Sequence, residues 1–320
     1  MEKEYKCAAL YTQANIRSNN VVYPCCRFKK PIGVTDGNLK NILNSKMYVE
    51  ARKKFEKDKG LIECSRCLHE EKIGIRSYRQ YFNEKYSTKE TKLIHLVVNL
   101  NNICNLVCES CNSEFSSSWG YKEKLLKHEI YKFADIKSIP DSVEVIEFQG
   151  GEPLMTNQHR TLLEMHPSPS ICNLLYFTNC TFSLSDKDHK IFKKFKNIEF
   201  HLSIDGYAEI NDQVRIGSNW NIVEKNAIEI GKSYNCVVET VFHKNTALHL
   251  KSLENWIKQN NFRWRIHPVT RPRHLDVTHT LCSNENDKKK LLSVIDSLDY
   301  HKKDELYNHC SSKYKAEWIK

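Results

Sequence analysis

Three cysteines stand close together in the stretch CNLVCESC: Cys104, Cys108 and Cys111, a C-x3-C-x2-C spacing. Three thiolates so near in sequence can wrap one [4Fe–4S] cube and leave its fourth iron without a protein ligand, and an iron left open is a reaction site. A three-cysteine zinc site would use the same residues. Further on, Gly150, Gly151, Glu152 and Pro153 (GGEP) offer a backbone that a ligand can approach closely and, in Glu152, an acceptor for an ammonium group. Five more cysteines lie early: Cys7, the pair Cys25 and Cys26 after Val21 to Pro24 (VVYP), and Cys64 and Cys67 in CSRC. A C-x2-C with two remote cysteines meets four-thiolate ligation, of zinc or of a second iron–sulfur cluster. The spacing does not choose between them.

These side chains need elements to hold them. From Lys92 onward, short β-branched and apolar runs alternate with longer segments of helical period, the βα order of a parallel sheet or barrel. Six strands are expected: Leu93 to Leu100, Val143 to Gln149, Leu174 to Cys180, Ile198 to Asp205, Cys236 to His243 and Phe262 to Val269. Helices are expected near 117–134, 157–166, 185–196, 219–232 and 247–260. Six βα steps fall short of the eight of a closed barrel. The cysteine loop then leaves the carboxyl end of the first strand and GGEP that of the second, where parallel α/β folds keep their active sites. The first 90 residues read as a separate small module, with turn chemistry at VTDGN and a helix whose Leu39, Ile42, Leu43, Met47, Ala51 and Phe55 share one face. A charged tail follows Arg271, with a helix near 284–298.

Composition sets the class. The chain has 320 residues, 49 Lys and Arg against 39 Asp and Glu, a net charge of +10, 40% hydrophobic residues and a mean hydropathy of −0.59. That supports an ordinary folded core and argues against a disordered or membrane-spanning chain. The start, MEKEYKCAAL, lacks an apolar segment of signal-peptide type, so a cytoplasmic location is expected. A reducing compartment leaves most of the 13 cysteines as thiols. Cys180 and Cys236, at strand ends, read as buried small hydrophobes, while Cys172, Cys282 and Cys310 are scattered.

Taken together, the cysteine loop, GGEP and the six strands resemble the radical S-adenosylmethionine (radical SAM) superfamily over about 92–270. The resemblance implies an α/β fold, a partial (β/α)6 TIM-like barrel with a small N-terminal iron–sulfur-binding module. It implies that Cys104, Cys108 and Cys111 hold a [4Fe–4S] cluster whose open iron chelates S-adenosylmethionine, with Gly150 to Pro153 on the methionine ammonium. Thr178 and Asn179 after strand three, Ser203 to Gly206 (SIDG) after strand four, and Arg215 are similar to the branch with sulfatase-maturing and peptide-modifying enzymes. In that likeness Asn179, Ser203 and Asp205 contact ribose or carboxylate, and Arg215 takes the cofactor carboxylate. Turn capping and a surface ion pair are the ordinary readings of the same residues. One departure is Ser110, where relatives carry an aromatic residue beside adenine; His267 and Val269 are the substitutes at hand.

The early segment is similar to the SPASM or twitch auxiliary-cluster module, here ahead of the barrel. That likeness implies a second [4Fe–4S] cluster on Cys7, Cys64, Cys67 and one of Cys25 and Cys26, with zinc as the alternative. The expected domains are 1–91, 92–270 and 271–320. The chemistry so implied is reductive cleavage of the cofactor to a 5′-deoxyadenosyl radical, fed by a flavodoxin- or ferredoxin-type donor, and removal of a hydrogen atom from a peptide or protein side chain. Two other readings stay open. One is a nucleoside, RNA or sugar substrate, for which Arg263, Arg265, Arg271 and Arg273 near Trp264 and His274 would meet phosphates. The other is a zinc-stapled binding protein without catalysis.

Overall fold

A computed structural model describes residues 6–311, with Ile73 and Ile75 excepted. The described chain packs as two compact units, each assembled from several segments. Among the described residues, no helix is long and apolar enough to cross a membrane.

The first unit takes in residues up to Ile103, Leu126–Tyr176 and Ser185–Ile198. Its strands are β1 (Gln13–Arg17), β2 (Val21–Tyr23), β3 (Gly33–Val34), β4 (His95–Val98), β5 (Val145–Phe148) and β6 (Asn173–Thr178), in the order β6-β5-β4-β1-β2-β3. Every residue of β4 is buried, as a strand covered on both faces requires, which is why its sequence reads as a nearly unbroken apolar run. β4 pairs in parallel with β5, His95 opposite Val145, and β5 in parallel with β6. On its other side β4 pairs in parallel with β1, Gln13 opposite His95. The six expected strands therefore gain a parallel neighbour from the amino-terminal segment. The pattern of β1 hides this, because its inward positions include Gln13 and Asn15, both buried.

The early helix is shorter than its hydrophobic face suggests. It runs Lys46–Lys57, with Tyr48, Ala51 and Phe55 buried, whereas Leu39, Ile42 and Leu43 are buried from a turn and a 3-10 segment. Ser45 in extended backbone (φ −63°, ψ 155°) separates the two.

The second unit comprises Cys104–Leu125, Phe177–Leu184 and the chain from Glu199. Its strands β7 (Asn197–Ser203), β8 (Asn235–Phe242) and β9 (Arg263–Pro268) are parallel in the order β7-β8-β9, with β9 at the edge. Helices Trp220–Ser233 and Leu250–Gln259 lie between them in sequence, so β4 to β9 follow the βα order of a partial (β/α)6 TIM-like barrel. The helix expected over 117–134 is corrected. It ends at Lys122 because Lys124 takes φ +58° and the Leu125 N–H turns back onto the Gly120 carbonyl, leaving a separate turn at Lys127–Ile130. The tail holds the expected helix as Glu285–Ser297, capped by Asn284, and a second helix, Lys303–Cys310. Residues 312–320 of the expected tail lie outside the described residues.

Candidate functional site

The three-cysteine loop is stapled within the second unit. The Cys104 N–H donates to Ser117 Oγ (3.2 Å), the Ser118 hydroxyl donates to the Cys104 carbonyl (2.7 Å), and Trp119 Nε1 donates to the Cys108 carbonyl (2.9 Å). A two-residue antiparallel ribbon pairs Cys108 with Arg215 and Val107 with Ile216. This pairing brings the Arg215 guanidinium to 4.0 Å from Cys108 Sγ, while its Nε lies 2.9 Å from Asp205 Oδ2. Asp205 is itself fixed, accepting from the Val241 N–H at 2.7 Å. From the end of β6, Asn179 Nδ2 stands 3.8 Å from Cys104 Sγ and donates to Asn105 Oδ1 at 3.2 Å. Two cationic or amide donors thus face sulfurs, the arrangement that thiolates or cluster sulfurs accept. Burial pushes the Cys108 thiol up to about 12, with Arg215 opposing it, and raises Cys111 as well.

In the first unit, GGEP folds back on the residues that lead into the cysteine loop. A Cβ on Gly151 would meet the Ile103 carbonyl oxygen at 2.2 Å, and one on Gly150 (φ +109°) the Asn101 oxygen at 2.8 Å. Only glycine fits both places. The Glu152 N–H donates to the Ile103 carbonyl (2.7 Å), and its buried carboxylate accepts from the Leu154 N–H (3.1 Å). Pro153 opens the short 3-10 turn that follows. Ser203 ends β7, two residues before Asp205 on the same chain.

The amino-terminal thiols also gather. Cys7 and Cys25 are buried in one apolar cluster with Ala51, Phe55 and Phe82, and Cys64 packs against it. Burial lifts Cys7 to about 11 and Cys64 to about 12, and Cys25 well above its ordinary value; Cys67 is raised too. The thiols reinforce one another: Cys7 and Cys67 both raise Cys25 and Cys64. Cys26 is the exposed member of the pair, yet burial raises its thiol and it remains electrostatically coupled to Cys25 and Cys67. Among the described residues, no three His, Cys, Asp or Glu side chains already form a metal-holding group.

One feature of the second unit had no signal in sequence spacing. His201 on β7 is buried and stacked on Phe177, ring centroids 4.3 Å apart, with Nδ1 2.5 Å from Glu239 Oε1 and Nε2 3.1 Å from Glu199 Oε1. Glu239 on β8 also bonds His267 Nε2 and Arg265 Nη1 (3.3 Å) on β9, and Glu199 pairs with Arg263. His267, considered above for adenine packing, therefore ends a charged chain running over three strands. Val269 donates its N–H to the Phe242 carbonyl (3.1 Å).

Comparison with known proteins adds the following. Residues 7–68 match the family model of the SPASM iron–sulfur cluster-binding domain, a segment that contains Cys7, Cys25, Cys26, Cys64 and Cys67. Over 215 residues the chain is 25% identical to a cysteine-type anaerobic sulfatase-maturating enzyme of Clostridium novyi (strain NT), covering 60% of this chain and 55% of that one. The chain thus spans about half the length of the curated relative it matches. Among solved structures, anSMEcpe with bound AdoMet is 18% identical with a TM-score of 0.47, covering 68% of this chain and 62% of the other. Streptococcus suis SuiB bound to S-adenosylmethionine is 16% identical with a TM-score of 0.42, covering 88% and 68%.

Proposed function

We propose that this chain is a radical SAM enzyme with an auxiliary iron–sulfur cluster, acting on a peptide or protein side chain. The observation that carries the reading is the thiol loop of Cys104, Cys108 and Cys111, with Asn179 and Arg215 directed at its sulfurs. Those three thiols hold one [4Fe–4S] cluster, and Gly150, Gly151, Glu152 and Pro153 receive the cofactor's ammonium on a backbone where only glycine fits. Asn179, Ser203, Asp205 and Arg215 are its ribose and carboxylate partners; Asp205 holds Arg215 in place for that task. Cys7, Cys64, Cys67 and one of Cys25 and Cys26 take the auxiliary cluster, and the burial of Cys25 in the same apolar cluster as Cys7 supports Cys25 as the fourth ligand. When bound, these groups supply reductive cleavage of S-adenosylmethionine and a 5′-deoxyadenosyl radical that removes a substrate hydrogen atom. The protein's own work is to bind, orient and keep water out.

Residues 1–91, 92–270 and 271–320 serve as auxiliary module, catalytic barrel and tail, in a cytoplasmic protein reduced by a flavodoxin- or ferredoxin-type donor. The peptide assignment is supported by the relative named as a sulfatase-maturating enzyme. A nucleic-acid substrate is disfavoured because Arg263 and Arg265 are already matched by Glu199 and Glu239. The test is iron and sulfide content with electron paramagnetic resonance after anaerobic reconstitution, beside a Cys104, Cys108, Cys111 triple alanine variant. About eight irons falling to about four, with 5′-deoxyadenosine formed only by the wild type, supports the proposal. Zinc without iron, or no cleavage of S-adenosylmethionine by iron-loaded protein, rejects it.

A further inference from the structure

Two cysteines that lie far apart in sequence, and that the proposed cluster sites do not use, meet in the tail of the second unit. Cys282 sits half-buried in the 3-10 turn Leu281–Ser283, and Cys310 is buried in the last turn of Lys303–Cys310. Their side chains are hydrogen-bonded to each other. Both flank one strap, residues 275–278. The Cys282 N–H donates to the Val277 carbonyl at 2.8 Å, and His309, beside Cys310, puts Nε2 3.2 Å from Asp276 Oδ1. The strap is in turn tied to the end of β8, where the Leu275 carbonyl accepts from the Lys244 N–H at 2.9 Å. The next residue, Asn245, donates through Nδ2 to Glu109 Oε2 at 2.7 Å, and Glu109 lies between Cys108 and Cys111.

We propose that Cys282 and Cys310 form a thiol–disulfide site that reacts with small-molecule disulfides such as oxidised glutathione. Cys282, the more accessible thiol, attacks one sulfur of glutathione disulfide, forming a mixed disulfide and releasing one glutathione thiolate. Cys310 then attacks the Cys282 sulfur and expels the second glutathione. The two protein thiols lose two electrons and two protons, and one glutathione disulfide becomes two glutathione molecules. The hydrogen bond to Cys282, and burial after it, push the Cys310 thiol well up, and Cys282 is the thiol that solvent reaches. The bond formed ties the turn at 281–283 to the end of the Lys303–Cys310 helix and closes the strap between them. Through Leu275, Lys244 and Asn245 the closed strap stiffens the hold on Glu109.

The experiment uses the full-length, cluster-loaded protein, kept anaerobic in glutathione buffers of stepped oxidised-to-reduced ratio, then alkylated, digested and read by mass spectrometry. A peptide linking Cys282 to Cys310 should appear in the wild type. Cys310→Ser should instead accumulate glutathione on Cys282, and Cys282→Ser should leave Cys310 unmodified. Hydrogen exchange at the Lys244 amide should slow about tenfold in the linked protein. Recovery of both thiols as separate alkylated residues at every ratio, or linkage of either to another cysteine, overturns the site. Linkage with unchanged exchange at Lys244 overturns the coupling to the loop. If Cys310→Ser does not fold, Cys282→Ser and the wild-type linkage decide the matter alone.

Discussion

Glu239 is the residue on which the charged chain of β7 to β9 depends. Burial opposes its ionisation, but hydrogen bonds from His201 and His267 outweigh this and hold its pKa down at about 2. Glu199 is likewise held at about 2, first by its bond to His201. Burial disfavours the His201 cation, yet the two carboxylates more than offset it and the net shift is upward. The carboxylates therefore stabilise the fold above their ordinary pKa, and that stability is lost as pH falls through about 2. The imidazole contributes fully below its ordinary value, and its share is lost as pH rises through the raised folded one. Glu239→Gln should lower the His201 pKa, seen by nitrogen NMR of the imidazole, and cost roughly 3 kcal/mol in denaturant unfolding, because a buried cation loses one of two partners. An unchanged His201 titration would mean that Glu199 alone sets it. None of this chain was legible beforehand, since its members come from three strands and meet only through the register. The cysteine motifs, by contrast, stand out in the sequence because their spacing is local.

At the scale of elements, six strands were visible as β-branched runs, and the structure keeps all six within a residue or two at most ends. The misses share a cause: tertiary contacts overrode local pattern. β1 buries Gln13 and Asn15, so no apolar alternation announced it. The Lys303–Cys310 helix carries few apolar residues, and its buried Leu306 and Cys310 were too sparse to mark a face. Caps were better encoded. The helix Asp186–Phe192 opens with a capping box in which Ser185 Oγ accepts from the Asp188 N–H and Asp188 Oδ2 accepts from the Ser185 N–H. Asp188 also takes Arg160 at 2.7 and 3.0 Å, which, against the cost of burial, holds it at about 2. Asp188→Ala should destabilise by about 2–3 kcal/mol, more than a cap alone, because it also removes the two-point pairing with Arg160, which keeps only Asn157 and Ser185. A loss below about 1 kcal/mol would show the Arg160 contact to be idle.

For the whole molecule, the division in space does not follow the order of the chain. The amino-terminal segment that carries five cysteines also donates β1 to the parallel sheet of the first unit, beside β4. Removing residues 1–91 would leave the hydrogen-bonding edge of β4, buried throughout, open to solvent. Such a deletion variant should aggregate on expression, whereas changing Cys7, Cys25, Cys64 and Cys67 to serine should leave β1 in place and yield monodisperse apo-protein by size-exclusion chromatography. A soluble, folded deletion variant would contradict the sheet order. The same pairing bears on synthesis. Gln13 leaves the ribosome 82 residues before its partner His95, so at roughly 5–20 residues per second β1 waits about 4–16 seconds for its neighbour. During that interval the nascent segment has to be kept from pairing with anything else, which makes translation speed and chaperone access part of what this fold requires.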